Sequence, residues 1–370
     1  MDRRHFIAAA SAASLAASAP GWAATKARQP LKIVLLGGTR FIGVHMTELA
    51  LARGHTVTFF NRGKTKSDLF PQVEKLHGDR DAQLDALKGR KWDAVIDTSG
   101  YVPRHVRLSA ELLAPNVAQY LFISTIGLYA DFTKANDENS AVATVEDEKR
   151  EDWQNAYGPL KALCEKAVNA AMPGRTTMVR PGLIVGPEDS TDRFTFWPAR
   201  AAQGGEMIGP GDAAVPFQII DARDLAAFCI DALENRTFGV FNVTSPTDKF
   251  NVGDVVKESI AAGIALAKPN PPPHATWVPV EFLTEQKVTP FADLPGWLPA
   301  GGEMGGLHRT KVDRALKAGL KISPLQRTAR DTLAWHLARP EAEREKLKAG
   351  LTIERQREVL AAWHAKQKGA

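Results

Sequence analysis

The sequence predicts an α/β protein built on a doubly wound parallel sheet, and three observations predict it. Residues 31–43 read Leu-Lys-Ile-Val-Leu-Leu-Gly-Gly-Thr-Arg-Phe-Ile-Gly, an apolar run that passes through a glycine turn straight into a helical pattern. Downstream, β-branched and aromatic runs alternate with helical stretches at the spacing of βαβ units. Glycines and small polar residues gather where those runs end, and open parallel sheets take their ligands beyond the carboxyl ends of their strands.

The elements follow in order. The run 31–36 is the first strand and breaks at Gly37. Phe41 to Arg53 reads as the first helix, stopped by Gly54, and His55 to Asn61 as the second strand, with the polar turn Arg62-Gly63-Lys64 after it. Val73 to Gly78 is a third short strand, and Asp81 to Leu87 reads as helical. Asp93 to Asp97 is the fourth strand, with Thr98-Ser99-Gly100 at its end. Pro103 to Leu113 is a helix with proline in its first turn, and Gln119 to Thr125 a fifth strand. Asp131 to Asn155 is polar and acidic without a period, hence a surface loop. Tyr157 to Ala171 is a helix and Thr176 to Arg180 a sixth strand, ended by Pro181-Gly182.

The pattern loosens over Gly186 to Pro216. Helices return at 222–233 and 252–266, a strand lies at 240–243, and Asn270 to His274 is a stiff proline connector. The last third reads as helices at 311–318, 326–338, 341–349 and 353–366. The expected division is a nucleotide domain over 31–185, completed by core elements from about 215–245, and a mainly helical region over 186–370.

A chain of 370 residues that is 44% hydrophobic and 24% charged can bury a sizeable core. The net charge of +5 is spread through mixed-sign surface, which argues against a nucleic-acid or membrane role resting on charge. Cys164 and Cys229 sit in apolar helical contexts and read as core thiols; no His/Cys grouping has metal-ligand spacing, so no metal is expected. No later run is long enough to span a bilayer. Residues 1–24 have a charged start, an Ala-rich middle and a small-residue end, the layout of an export signal. Arg3-Arg4 before His5-Phe6-Ile7 resembles its twin-arginine form, which makes the twin-arginine machinery a partner and the periplasm, or another exported site, the expected location. A cytoplasmic protein with an ordinary N-terminus is the alternative.

Four signals in order carry a family resemblance: the glycine turn at 37–43, Ile123-Ser124-Thr125 with Leu128-Tyr129, Tyr157-Gly158-Pro159-Leu160-Lys161, and Arg180-Pro181-Gly182 with Gly186-Pro187. Together they resemble the extended short-chain dehydrogenase/reductase family, in its epimerase/dehydratase branch, over about 31–243. The resemblance implies a Rossmann-type fold and assigns roles. Positions i and i+4 share a helix face, so Tyr157 and Lys161 point together. An ammonium beside a phenol lowers its pKa, which would make Tyr157 the general acid/base. Thr125 would bond the same substrate oxygen, with Ser124 as the fallback. Gly37, Thr39, Phe41, Ile42 and Gly43 would hold the pyrophosphate, Asp79 the adenine, and Thr98, Ser99, Gly100, Ser124, Lys161 and Pro181 the ribose and nicotinamide side.

Cofactor choice follows from charge. NAD sites commonly carry an acid after the second strand, where this chain has Asn61-Arg62; Arg40 replaces the middle glycine of the turn. Two arginines suit a 2′-phosphate, so the expected cofactor is NADP rather than NAD. Arg193 and Gln218 fall where relatives build the substrate pocket. The expected activity is redox or epimerisation at a hydroxyl/ketone pair of a small, carbohydrate-like substrate; a homodimer is compatible with it. Export would favour a redox-neutral cycle, because free NADPH is scarce outside the cytoplasm. A nucleotide-dependent RNA-binding protein is the alternative, since some plastid RNA-binding relatives carry a similar Gly-Gly-Thr-Arg-Phe-Ile-Gly turn. A catalytically idle NADP-binding scaffold is a third.

Overall fold

A computed structural model describes residues 26–369. The expected export signal at 1–24 lies outside the described residues.

The first apolar run forms β1, Lys32–Leu36. Every second side chain of a strand points to the same face, and both faces of β1 are covered. Ile33 and Leu35 enter one core and Val34 and Leu36 the other. The same division holds for β2 (Thr56–Asn61), β4 (Ala94–Asp97), β5 (Gln119–Ile123) and β6 (Thr176–Pro181). A strand buried on both faces cannot alternate polar with apolar residues, which is why these runs read as almost continuously hydrophobic. With β3 (Glu74–His77) and β10 (Gly239–Val243) they make a seven-stranded sheet in the order β10-β6-β5-β4-β1-β2-β3. All of its pairings are parallel. The order reverses between β1 and β4, the place where doubly wound sheets open a crevice.

Helices α1 (Ile42–Ala52) and α5 (Ala222–Glu234) cover one face; α2 (Pro103–Leu113) and α3 (Tyr157–Ala171) cover the other. Cys229 is buried on the first face and Cys164 on the second, both as free thiols. Large side chains such as Phe59, Phe122 and Tyr120 are fully buried here. Each contributes roughly 1.5–3 kcal/mol of transfer free energy for its apolar part.

Beyond β6 the chain builds a second core at the carboxyl side of the sheet. It contains β7 (Leu183–Val185) paired with β9 (Ile219–Asp221), and β8 (Glu206–Pro210) paired with β11 (His274–Val278). Helices α4 (Phe196–Ala202), α6 (Val252–Leu266) and α7 (Val280–Glu285) join it, as do α9 (Leu325–Leu337) and α11 (Ile353–Gly369), with the short pair β12 (Pro290–Phe291) and β13 (Leu294–Pro295); α8 (Asp313–Lys317) packs instead beside β10 through Ala315, and α10 (Glu341–Glu345) buries no residue. Trp197, Phe217, Trp297 and Leu333 meet in this core. α6 begins with a capping box from Asn251 and Asp254, and it crosses α4 so closely that a Cβ on Gly263 would lie 2.8 Å from Ala201 C.

Two expectations are corrected. Residues 81–87 form no α-helix, only one 3-10 turn at Asp85–Leu87, because Ala82 sits at φ 62° and Asp79 bridges to Gln83. The loosened stretch 186–216 contains α4 and β8, both too short to show a period and separated by Gly204-Gly205 at φ 75° and 71°.

Candidate active site

The turn after β1 is a cradle in which side chains have no room. Gly37 and Gly38 lie at φ 110° and 91°. A Cβ on Gly37 would sit 2.6 Å from Thr98 Oγ1, and one on Gly43 would sit 2.7 Å from Gly38 Cα. Asn61 Nδ2 donates to Gly37 O at 3.0 Å, while Thr98 Oγ1 and Ser99 Oγ both donate to Leu36 O. These three residues therefore hold the turn's shape from below. α1 then starts without a side-chain cap and without an acid in its first turn. Its N-cap, Phe41, is held at φ 40°, ψ −112°, a conformation that costs about 1–3 kcal/mol for a side-chain-bearing residue. An uncapped helix N-terminus above a glycine floor fits a pyrophosphate, since its first N–H groups need an acceptor. Ile42 is buried against the sheet, and Thr39 lies at the outer side of the turn, exposed only in part.

Arg40 points to the loop beyond β2, and Arg62 lies on that loop facing the turn after β3. Arg40 Nη2 donates to Thr65 Oγ1 at 3.3 Å, and Arg62 Nη1 lies 4.0 Å from Asp79 Oδ2 in a loose, exposed pair. The same loop is fastened across the turn. Lys66 Nζ donates to Glu188 Oε2 at 2.5 Å, Trp335 Nε1 of α9 donates to Glu188 Oε1, and His45 Nε2 of α1 lies 3.0 Å from Pro187 O.

Tyr157 is the first residue of α3. Glycine follows it for a reason: a Cβ on Gly158 would come within 2.5 Å of Gly127 O, so the helix start rests on the 126–128 turn. That turn is capped by Thr125, whose Oγ1 accepts from Gly127 N at 2.9 Å and whose hydroxyl is close enough to Tyr157 to pull its phenol down. Tyr157 keeps 39% of its surface exposed, yet its surroundings exclude enough water that desolvation dominates its titration. Burial and the neighbouring Tyr101 push the phenol up to about 12, against the opposing pull of Thr125 and of Arg193. Ser124 is buried, and its hydroxyl has no partner among the described residues.

Lys161 lies one turn along α3 from Tyr157 and is buried. It shares a helix face with Tyr157, and its Nζ donates to Gly100 O at 2.7 Å and Ile123 O at 2.6 Å. It also lies 4.2 Å from the centre of the Phe122 ring. Burial pulls the amine down to about 8. In this state it ties the loop after β4 to the end of β5. Gln218 is buried as well. It donates to Ser245 O and Thr310 O, and accepts from Thr310 N, so its amide is consumed in the second core. Pro181 closes β6 beside Val243 and has no N–H to offer, only its carbonyl oxygen. Arg193 stays half-buried at the mouth, with Nε donating to Thr191 Oγ1.

One group was missed by sequence reasoning. Arg80 Nη1 and Nη2 donate to Asp97 Oδ1 and Oδ2 at 2.7 and 2.8 Å, fully inside the protein. Tyr120 Oη and Ser99 N also donate to Asp97, and Arg80 Nη2 reaches Ser109 Oγ. The signal was present as two charges at strand ends, Arg80 after β3 and Asp97 closing β4. Among the described residues no group of three or more His, Cys, Asp or Glu side chains could hold a metal, and no helix is long and apolar enough to cross a membrane.

Residues 33–244 match the model of the NAD dependent epimerase/dehydratase family. The chain belongs to that family. It is an NAD(P)-binding enzyme of the extended short-chain dehydrogenase/reductase type. The chain is 26% identical over 285 residues to the chloroplast stem-loop binding protein of 41 kDa b of Arabidopsis thaliana, covering 71% of this chain and 70% of that one. It is 28% identical over 218 residues to the 2-alkyl-3-oxoalkanoate reductase of Stenotrophomonas maltophilia, covering 54% and 64%. Among solved structures, a UDP-glucose 4-epimerase superposes with TM-score 0.61 at 16% identity, over 84% of this family member and 98% of the epimerase. The Bordetella bronchiseptica enzyme WbmH in complex with NAD+ superposes with TM-score 0.60 at 16% identity, over 84% and 99%. Identities this low establish the shared fold.

Proposed function

We propose that this family member is an NADP-dependent oxidoreductase or epimerase acting on a hydroxyl/ketone pair of a small, carbohydrate-like substrate. The observation that carries the reading is the Tyr157–Thr125 pair, which stands beyond the carboxyl end of β5, on the same edge of the sheet as the glycine cradle after β1. The bound nicotinamide would accept or return hydride at the substrate carbon. The chain's own contribution is at the oxygen. Thr125 orients the Tyr157 hydroxyl, and a phenol raised to about 12 keeps its proton throughout the neutral range. Tyr157 is therefore poised to give a proton to a developing alkoxide, the direction of carbonyl reduction. Lys161 fixes the Gly100 and Ile123 carbonyls on the floor beside it.

NADP is favoured by Arg40 and Arg62 and by the absence of an acid directly after β2. The test is direct titration of NADP and NAD, with Arg40→Gly/Arg62→Asp expected to lose its preference for NADP. An unchanged preference overturns the cofactor assignment. Released ligand, identified by ultraviolet spectrum and mass, tests retention of the cofactor. The reading also places the protein outside the cytoplasm, carrying its cofactor and running a redox-neutral cycle; fractionation of cells expressing the full chain and an Arg3→Lys/Arg4→Lys variant tests that location.

The name of the Arabidopsis relative, a stem-loop binding protein, favours a second reading, RNA binding. Binding of a stem-loop RNA that falls steeply with salt would favour it. No binding at low salt would end it.

A further inference from the structure

Three large aromatic side chains that leave more than a third of their surface exposed stand side by side at the mouth of the site: Tyr101, Trp153 and Tyr157. Tyr101 and Trp153 have ring centroids 4.9 Å apart with planes tilted 36°, and Tyr101 and Tyr157 lie 6.4 Å apart at 38°. The similar tilts join the rings into one wall that leads outward from Tyr157. They come from three separate segments: the turn after β4, the loop before α3, and α3 itself.

The wall is built rather than draped. Arg104 of α2 donates Nε and Nη2 to Glu151 at 2.6 and 3.2 Å, and Nη1 to Asp81 at 2.6 Å. Trp153 N donates to Glu151 O, and Arg150 bonds Asp152 bidentately. The Trp153 loop is thus strapped to the nucleotide side of the sheet. From below, Lys161 Nζ lies 5.3 Å from the centre of the Tyr101 ring. Holding exposed aromatic surface in a fixed place gains the fold little, because that surface stays in water. Its gain comes when something flat covers it. Aromatic side chains stack with planar rings and with the C–H face of sugars, and rigid rings lose little entropy in doing so.

We propose that Tyr101 and Trp153 select the substrate, and that the substrate carries a flat ring, aryl or pyranose, next to its reacting carbon. The inference rests on the hydroxyl/ketone reading of Tyr157, and it adds the class of molecule that reading left open. Both ring types share the chemistry of a flat apolar face, and the experiment separates them.

The test uses the full folded protein saturated with NADP. Saturation-transfer NMR measures benzyl alcohol, methyl β-D-glucopyranoside and, as an acyclic probe, 2-butanol against wild type, Trp153→Ala, Tyr101→Ala and Trp153→Phe. One ring probe is expected to bind through its ring protons, and which one does so identifies the ring type. Trp153→Ala and Tyr101→Ala should weaken it about tenfold, Trp153→Phe should keep most of the binding, and 2-butanol should not distinguish the proteins. NADP affinity should be unchanged in Trp153→Ala. Equal binding of ring probes to wild type and Trp153→Ala, no binding of either ring probe, or a lowered NADP affinity in Trp153→Ala would each overturn the proposal. Turnover of acetophenone and 2-butanone with NADPH keeps the two ideas separate. Ring binding without turnover of any probe removes the hydroxyl/ketone chemistry and leaves the ring wall. Turnover that Trp153→Ala leaves unchanged for both ketones removes the wall and leaves the chemistry.

Discussion

The buried Arg80–Asp97 pair makes the sharpest stability prediction. Asp97→Asn keeps the shape of the side chain and removes its charge, leaving the Arg80 guanidinium inside the protein without a counter-charge. Removing one partner of a buried ion pair costs about 3–5 kcal/mol. Asp97 uses both oxygens, Oδ1 for Ser99 N and Oδ2 for Tyr120 Oη, so the single acceptor oxygen of Asn cannot replace both. At roughly 2 °C per kcal/mol for a large domain, Tm should fall by about 6 °C or more. Urea unfolding with an unchanged m-value measures the free energy directly. The double variant Arg80→Met/Asp97→Leu removes both charges and should be more stable than Asp97→Asn, because no buried charge is then left unpaired. An Asp97→Asn protein within 1 kcal/mol of wild type, or a double variant weaker than the single, would refute the reasoning. Asp97 also receives Ser99 N, so the single variant should loosen the loop at 98–100 and weaken dinucleotide binding.

Three further outcomes are expected. Gly43→Ala drives a Cβ to 2.7 Å from Gly38 Cα, so it should cost about 1–3 kcal/mol and remove the rise in Tm that added NADP gives wild type. Lys161 has a folded pKa of about 8 below its usual 10.5, so between these values the unfolded chain binds more protons and stability should rise with pH. Its contribution is on the order of 3 kcal/mol across that window; Lys161→Met lacks it, so the difference in urea midpoints between wild type and this variant should change by that amount from pH 8 to 10.5. Tyr157→Phe should bind NADP as wild type does yet lose at least a hundredfold in kcat on any ketone that wild type reduces; retained kcat would remove Tyr157 from the chemistry.

The doubly wound sheet was legible because its signals are local. The run 31–36, the glycines at 37 and 43 and the helix at 157–171 each state their structure within a few residues. The stretch 186–216 was not, since α4 spans seven residues and takes its stability from α6, sixty positions later. Side-chain roles were less legible still. A sequence shows that Lys161 lies one turn beyond Tyr157, but not that two carbonyls from other strands claim its ammonium. It places Gln218 near a pocket, but not the return of 308–310 that consumes its amide. Arg80 and Asp97 stand 17 residues apart and meet only because β3 and β4 end at the same level of the sheet.

The fastening at Glu188 bears on time rather than affinity. Lys66 and Trp335 hold that carboxylate from opposite sides, so the loop beyond β2 is clasped to the far half of the chain across the glycine turn. Opening of the clasp would then add to the barrier that a nucleotide lying on that turn must cross to leave. Its contribution would be one of time: dinucleotide dissociation should quicken as salt screens Lys66 from Glu188, and Lys66→Met should remove that part of the salt dependence.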